Sequence, residues 1–263
     1  MTAPDRDLQA RLRFAHELLD RTDAVALEAF RGDRAARRKP DRSLVTLTDV
    51  AIETQIRDRL SSAYPRDVVL GEELGGAQDA AEGRWIVDPI DATNNFVRGI
   101  GVFATLLALE RDGELALGLV SAPALGQRWY AIRGGGAYLR EGGAERRIAV
   151  SAVDRWADAQ LLFSSIGRLD PAREARLADL ATDAWRNRGF GDFWAHVLVA
   201  QGSAEAMVET DLKPWDLAAP ALVVAEAGGM VTDFGGRPSW QGPEAVSTNG
   251  LLHAEVLAGL TPG

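Results

Sequence analysis

Two aspartates that follow an apolar segment are the residues whose types and spacing most clearly suggest chemistry. The segment Trp85-Ile-Val runs directly into Asp88-Pro-Ile-Asp91-Ala-Thr-Asn-Asn. A buried strand seldom ends in acids, because desolvating a carboxylate costs free energy unless the group is paired or binds a metal. Both carboxylates flank a turn and can converge on one point, and such oxygen ligands suit Mg²⁺ or Mn²⁺. An Asx-type turn explains the same residues equally well.

Two further acidic positions shift the balance towards a metal site. Glu72 follows an apolar, strand-like segment and precedes Gly75-Gly76, where a polar loop is the simpler explanation in isolation. Asp216 stands at the start of a predicted helix, where an N-cap is the simpler explanation in isolation. Together with the two aspartates, these acids favour a cluster of oxygen ligands.

The composition excludes several other chemistries. The chain has 263 residues, no Cys and three His, and its 29 Lys+Arg against 38 Asp+Glu give a net charge of −9. Disulfides, thiolate nucleophiles, Cys-ligated zinc and iron–sulfur clusters are therefore excluded, and scattered histidines disfavour a His-rich metal site. Catalysis would fall mostly to carboxylates, hydroxyls and backbone groups.

The charge and the apolar runs restrict the partners and the location. A negative balance argues against nonspecific nucleic-acid binding, and an anionic substrate would need bound cations. No apolar run approaches the ~20 residues of a membrane span, and the N-terminus lacks the apolar core of a secretion signal. We therefore expect a cytoplasmic protein that binds a small molecule, without a nucleic-acid or membrane partner.

The elements that must position these acids follow from periodicity and from turn signals. The first half predicts two helices, the second capped by Thr48, followed by a mainly antiparallel sheet with a hairpin at Asp112-Gly113. The basic run at 34–39 is best explained as a solvated loop edge. The second half alternates, with helices predicted at 171–186, 192–201 and 216–227 and strands at 161–165, 206–209 and 230–232. Such mixed order predicts a layered α/β or α+β architecture.

Three signatures together resemble the inositol monophosphatase superfamily, in its order and rough spacing. They are Gly71-Glu-Glu, then Asp88-Pro-Ile-Asp-Ala-Thr, then Trp215-Asp-Leu-Ala-Ala followed by Glu226-Ala-Gly-Gly. The resemblance extends from about Leu8 to Val256. It implies a lithium-sensitive, Mg²⁺-dependent phosphomonoesterase with an αβαβα sandwich, as one domain over 1–263 with lobes at about 1–150 and 151–263. It also suggests a homodimer.

The resemblance also implies a ligand set for two or three Mg²⁺ ions, with Mn²⁺ as an alternative. Glu72, Asp88 and the Ile90 carbonyl would hold the first ion. Asp88, Asp91 and Asp216 would hold the second, and Glu72, with Asp49 nearby, would hold a weaker third ion through water. Divalent ions neutralise a phosphate dianion and activate water, so no Cys or His nucleophile is needed.

The same resemblance assigns catalytic and phosphate-binding roles. Glu72, Thr93 and Asp49 would be the catalytic residues, with Thr93 and Asp49 helping to activate the water that attacks phosphorus directly. Backbone amides at Ala92 and Thr93 would bind the phosphate. The family usually has Gly where this chain has Ala92. If that turn needs φ > 0, Ala is strained by about a kcal/mol, whereas a negative φ costs little.

The substrate preference depends on the second half, which is most similar to the histidinol-phosphatase branch. Asp192 and Glu209 would bind substrate and place acids near the leaving alcohol, which suits the cationic amine and imidazole of histidinol phosphate. Helix capping for Asp192 and a solvated strand end for Glu209 are equally good explanations. An inositol-1-phosphate or broad sugar-phosphate phosphatase is the alternative, and a catalytically impaired scaffold is a third. His196 is best explained as a satisfied histidine in the core or at the pocket edge.

Overall fold

The computed structural model describes residues 6–32, 34–40, 44–76 and 82–261. The helices are α1 (Arg6–Arg31), α2 (Leu47–Ala63), α3 (Thr93–Arg98), α4 (Pro171–Asp183), α5 (Asp192–Ala200), α6 (Pro214–Glu226) and α7 (His253–Leu260). The strands are β1 (Ala36–Arg38), β2 (Leu44–Thr46), β3 (Val68–Gly71), β4 (Arg84–Asp91), β5 (Ala104–Arg111), β6 (Glu114–Ala122), β7 (Gln127–Ile132), β8 (Gly136–Glu141), β9 (Ala144–Ile148), β10 (Gln160–Phe163), β11 (Arg186–Gly189), β12 (Ala206–Thr210), β13 (Met230–Thr232) and β14 (Glu244–Thr248). Among the described residues, no helix is long and apolar enough to cross a membrane.

The larger sheet contains β3 to β9 in chain order, and each of its central strands is buried on both faces. Strands β3 and β4 are parallel, whereas the remaining neighbours are antiparallel. Strand β5 shows why its sequence is almost continuously apolar. Leu106 and Ala108 face the core shared with α5 and α6, while Leu107 and Leu109 face the core beneath α1 and α2.

The smaller sheet has the order β11-β10-β12-β14-β13, with β10 parallel to both neighbours and β14 antiparallel to both of its own. Helices α5 and α6 lie between the two sheets, and α4 and α7 cover the outer face of the smaller sheet. Helices α1 and α2 cover the outer face of the larger one. This order of layers confirms the αβαβα sandwich, whereas the division into lobes stays a prediction.

The cap of α2 differs from the prediction. Thr46, not Thr48, is the N-cap, because its hydroxyl oxygen accepts the amides of Thr48 (3.1 Å) and Asp49 (3.3 Å). Asp49 Oδ2 in turn accepts the Thr46 amide at 2.9 Å. This reciprocal arrangement is a capping box, and it fixes Asp49 within the first turn of α2.

Helix α6 begins two residues earlier than predicted, because Pro214 occupies its first turn, where a missing amide donor costs least. Pro220 consequently lies in the second turn of this helix. Helix α4 ends at Asp183, before the predicted 186, and the following residues form strand β11. The basic run at 34–39 includes strand β1, which pairs with β2, so its interpretation as a loop edge was also wrong.

Candidate active site

Strand β4 brings Asp88 and Asp91 to one face of the larger sheet through a β-bulge. Asp88 pairs with Leu106 and Asp91 with Ala104, so three steps on β4 oppose two on β5. In a regular strand, residues three apart point to opposite faces. The extra residue in the bulge brings both aspartates to the same face. Their partners on β5, Leu106 and Ala104, both face the core shared with α6. Pro89 lies within the bulge, where a missing amide donor is tolerated.

Helix α6 adds a third carboxylate from the facing layer. One oxygen each of Asp88, Asp91 and Asp216 lies within 4.8 Å of the other two. Asp216 Oδ2 also accepts the backbone amide of Lys213 at 2.7 Å, which holds the side chain at the helix start. Lys213 is the N-cap residue, so an N-cap role for Asp216 itself is excluded. The three aspartates predicted to share one metal therefore converge.

Burial and crowding disfavour the ionised forms of these acids. Burial, followed by the charge of Glu72, raises the pKa of Asp88 well above its usual range, and burial with Asp192 does so for Asp91. Burial likewise raises the pKa of Asp216 to about 7. Asp88 Oδ1 is buried without a hydrogen-bond partner among the described residues. Crowded carboxylate oxygens with an unsatisfied acceptor are the donor set that fits a hard divalent cation.

Glu72 lies outside this group of three and contacts a cation of the chain. Lys39 Nζ is 2.8 Å from Glu72 Oε1 and 2.6 Å from Glu73 Oε1. Burial raises the pKa of Glu73 to about 7 even though Lys39 opposes the shift. Lys39 was missed from the sequence, because a basic run beside a proline gives no sign of which charge turns inward.

Glu53 holds the turn that carries Glu73. Its Oε2 accepts the Glu73 amide at 2.8 Å, and its Oε1 accepts the Leu74 amide at 3.1 Å and Arg57 Nε at 2.8 Å. A Cβ on Gly71 would lie 2.0 Å from Glu53 Oε1, so only glycine allows this close approach. The contact with Arg57 is local, since the two residues are four apart on α2, whereas the contacts with the turn join residues about 20 apart.

Asp49 and Thr93, the predicted water-activating pair, each have a different partner. Thr93 Oγ1 donates to the Ile90 carbonyl at 2.9 Å, the same carbonyl that the resemblance assigns to a metal. Asp49 is fully buried against Thr46, and burial raises its pKa to about 6. Its Oδ1 has no hydrogen-bond partner among the described residues. The free oxygen of Asp49 and that of Asp88 are thus both available acceptors.

Ala92 adopts the left-handed conformation, with φ 65° and ψ 44°. This decides between the two alternatives considered for the turn, since the φ > 0 required of a glycine is present. An alanine there is strained by about 1–2 kcal/mol. The strain is located at the junction between β4 and α3, directly after Asp91.

The start of α5 connects the carboxylate cluster to a second pair of acids. The Asp192 amide donates to Glu209 Oε1 at 3.0 Å, and the Phe193 amide donates to Asp91 Oδ2 at 2.8 Å. Gly191 is the N-cap, so capping does not explain Asp192, and Glu209 is 5% exposed, so a solvated strand end does not explain it either. Burial and then the charge of Glu209 raise the pKa of Asp192 to about 7.

A family model described as the inositol monophosphatase family matches residues 7–261. The chain belongs to the inositol monophosphatase family. Membership makes it a phosphoric monoester hydrolase, and the family is generally metal-dependent, in agreement with the carboxylate cluster.

Two relatives and one solved structure show how far the similarity extends. The chain is 45% identical over 255 residues to a histidinol-phosphatase of Mycobacterium tuberculosis, covering 96% of this chain and 98% of the relative. It is 44% identical over 253 residues to a histidinol-phosphatase of Streptomyces coelicolor, covering 94% and 95%. The structure of an IMPase from Thermotoga maritima superposes with a TM-score of 0.86 at 30% identity, covering 95% of this chain and 96% of that one.

Proposed function

We propose that this member of the inositol monophosphatase family hydrolyses L-histidinol phosphate to L-histidinol and phosphate. The observation that carries the proposal is the pair of acids, Asp192 and Glu209, attached through α5 to the carboxylate cluster at Asp91. A cationic leaving alcohol would lie against negative charge there, whereas inositol offers only hydroxyls. Support also comes from the two histidinol-phosphatases at 44% and 45% identity.

We assign the metal ligands to the acids of β4 and α6. Asp88, Asp91 and Asp216 would hold Mg²⁺, joined by the Ile90 carbonyl and by Glu72 at a site for up to three ions. When bound, Mg²⁺ supplies charge neutralisation of the phosphate and acidification of water. The buried Asp88 Oδ1, which lacks a protein partner among the described residues, is an oxygen that such an ion would satisfy.

The remaining catalytic tasks fall to groups around the bulge. The backbone amides of Ala92 and Thr93 would bind the phosphate oxygens, at the start of α3. Asp49 Oδ1 is a free buried acceptor that would orient the attacking water, together with the Thr93 hydroxyl. Glu72 would complete this set once its carboxylate exchanges Lys39 for a metal ion.

The substrate assignment is tested by comparing kcat/KM for histidinol phosphate and inositol 1-phosphate in the presence of Mg²⁺. We expect histidinol phosphate to be preferred, and Asp192→Asn to reduce its kcat/KM by about tenfold or more, as loss of a charged contact predicts. The value for inositol 1-phosphate should change little.

A matched control is Asp211→Asn, because Asp211 is another aspartate with positive φ but lies on the surface beside Arg168. This variant should leave both substrates unaffected. Equal kcat/KM values in the wild type, or a preference for inositol 1-phosphate, would contradict the assignment. An equal loss on both esters in Asp192→Asn would remove that residue from a specificity role.

An inositol-1-phosphate or sugar-phosphate phosphatase is the second candidate. It is favoured by the similarity of the fold to the Thermotoga maritima IMPase. A phosphate-release screen over a small panel of esters, with and without Li⁺, separates the two candidates. We also propose a homodimer, which light scattering of the purified protein would test.

A further inference from the structure

A buried histidine of α5 contacts both Glu209 on β12 and Ser247 on β14. His196 Nε2 is 3.0 Å from Glu209 Oε2, and His196 Nδ1 is 2.7 Å from the hydroxyl oxygen of Ser247. His196 is 1% exposed and Ser247 is fully buried, so water does not compete for these contacts. The chain of contacts runs from β14 through α5 to the carboxylate on β12.

The register of the smaller sheet explains why these three residues meet. Strand β14 pairs antiparallel with β12, and Ser247 lies opposite Met207. Glu209, two residues beyond Met207, points to the same face of the sheet. Met207 packs in one core cluster with Ala195 of α5, so this face is the one that α5 covers. Ser247 and Glu209 therefore both face His196.

The hydrogen bonds with Glu209 and Ser247 orient the imidazole ring of His196. A carboxylate oxygen is an acceptor, so His196 Nε2 is the donor in the 3.0 Å contact with Glu209 Oε2. A hydroxyl can donate or accept, so the 2.7 Å contact of Ser247 with Nδ1 orients the ring in either case. Glu209 Oε1 accepts the Asp192 amide at 3.0 Å, so both oxygens of Glu209 are used by the protein.

Glu209 packs so closely against the start of α5 that a side chain at position 191 would not fit. A Cβ on Gly191 would lie 2.6 Å from Glu209 Oε1 and 2.5 Å from Ser164 Cβ. The Asp192 carboxylate, in contrast, has no hydrogen-bond donor among the described residues. Both oxygens of Glu209 are thus held by protein donors, whereas those of Asp192 are not.

We propose that His196, oriented by Ser247, is a positioning residue that fixes Glu209 and, through it, the first turn of α5, so that Asp192 contacts the cationic part of the leaving group. This inference rests on the proposed function, because a cationic leaving group is what makes the arrangement selective. Glu209 then acts by its charge and by its hold on the Asp192 amide, not by direct contact with substrate.

The test uses the Mg²⁺-loaded enzyme with two esters, histidinol phosphate and glycerol 2-phosphate, whose leaving alcohol is neutral. His196→Phe keeps the ring and removes both ring nitrogens. We expect KM for histidinol phosphate to rise about tenfold, the loss typical of one hydrogen bond to a charged group, with kcat little changed. KM for glycerol 2-phosphate should stay within about twofold. His196→Gln keeps a donor near Glu209 and should restore most of the affinity.

The chain also contains a matched control for the loss of a buried histidine. His253 is 4% exposed and bonds the hydroxyls of Thr232 (3.0 Å) and Thr248 (2.9 Å), on a helix that covers the other side of the smaller sheet. His253→Phe should alter neither KM, even if it lowers the melting temperature as His196→Phe does. The comparison separates a positioning effect from general destabilisation.

A spectroscopic measurement tests the same contacts without turnover. Nitrogen-15 NMR of the histidine rings should show a proton on His196 Nε2, and Ser247→Ala should disturb that signal. An equal change of KM on both esters in His196→Phe, no change on either, or a ring protonated at Nδ1 alone would overturn the proposal. A wild type without preference for histidinol phosphate overturns the proposed function instead, and the NMR signal then still decides whether His196 fixes Glu209.

Discussion

The two groups of acids in the candidate active site differ in how many protein hydrogen-bond donors their oxygens have. The oxygens of Asp88 and Asp91 lie close to other carboxylates in a buried setting, and Asp88 Oδ1 has no partner among the described residues. Glu209, equally buried, has a protein donor on each oxygen. Burial is therefore tolerated at Glu209 because the chain supplies the partners, whereas the aspartates of β4 depend on a cation or a proton.

The difference originates in the elements that deliver the two groups. A bulge places Asp88 and Asp91 of β4 on the same face, where they lie close to each other and to Asp216. A helix start brings backbone amides, and α5 donates one to each group, at Asp91 and at Glu209. We propose the first region as the cation site, whereas protein donors hold Glu209 in the second region.

The largest effect is expected from Asp91→Asn. Replacing one of three converging carboxylates by a neutral amide should lower Mg²⁺-dependent phosphate release by more than about a hundredfold, since even loss of an indirect contact to a metal site costs 10–100-fold. Steady-state assays over a range of Mg²⁺ concentrations would measure it. Asp179→Asn, which changes a surface aspartate beside Arg176, should have no effect. Activity near the wild-type level in Asp91→Asn would show that the cluster is not the metal site.

The stability of the metal-free protein should depend on pH in a direction set by the raised pKa values. Burial raises the pKa of Asp49 to about 6 and those of Asp192 and Asp216 to about 7. Between their usual pKa of about 4 and these values, the folded state binds more protons than the unfolded state. The free energy of unfolding should therefore fall as pH rises from about 4 to 7. Melting temperatures in EDTA would measure the slope.

Mg²⁺ should reverse this loss, and two variants sharpen the comparison. At a hundredfold excess over its dissociation constant, Mg²⁺ adds about 2.7 kcal/mol, and the gain should be larger at pH 8 than at pH 5, because protons compete for the ligands. Asp216→Asn should reduce the slope and also most of the Mg²⁺ effect. Asp192→Asn should reduce the slope but keep the Mg²⁺ effect. If both variants behaved alike, the two groups of acids would not be distinct.

Sequence reasoning went furthest where the required information is local. The spacing from Asp88 to Asp91 and the apolar segment before it suggested convergence, and the fold followed from the order of elements and the resemblance. The bulge itself was not predicted, because it depends on the register between β4 and β5. The capping box of Thr46 and Asp49 was missed although its three-residue spacing was present, since Thr48 offered a competing cap.

The contacts that remained out of reach join distant parts of the chain. Lys39 and Glu72 are separated by 33 residues, and His196 and Ser247 by 51. Nothing local in a basic run or in an apolar helix specifies such partners, because the pairing depends on how β1 docks and how β12 registers with β14. The residue types indicated chemistry at the acids, but their protein partners required the packed structure.

A smaller effect is expected from Lys39→Met, which removes the cationic partner of Glu72, the acid that we propose joins the metal ligands. Lys39 Nζ occupies the space beside Glu72 Oε1, so a metal ion must displace the ammonium to use that oxygen. Its removal should lower the half-saturating Mg²⁺ concentration up to about fivefold, the effect of an ion pair worth up to about 1 kcal/mol. Arg38→Met, at an exposed position on β1, should leave it unchanged. A higher Mg²⁺ requirement in Lys39→Met would instead assign Lys39 to substrate binding.

The smallest effect is expected at the junction between the two regions, in Ala92→Gly. Glycine removes the αL strain of about 1–2 kcal/mol, but it frees the unfolded chain and removes a buried methyl group, so the net gain should be under about 1 kcal/mol. Ala175→Gly, in the exposed face of α4, should lose about 0.5–1 kcal/mol, because no strain is relieved there. Urea unfolding of both variants gives the comparison. If Ala92→Gly lowered the free energy of unfolding as much as Ala175→Gly does, the strain at the turn would be negligible.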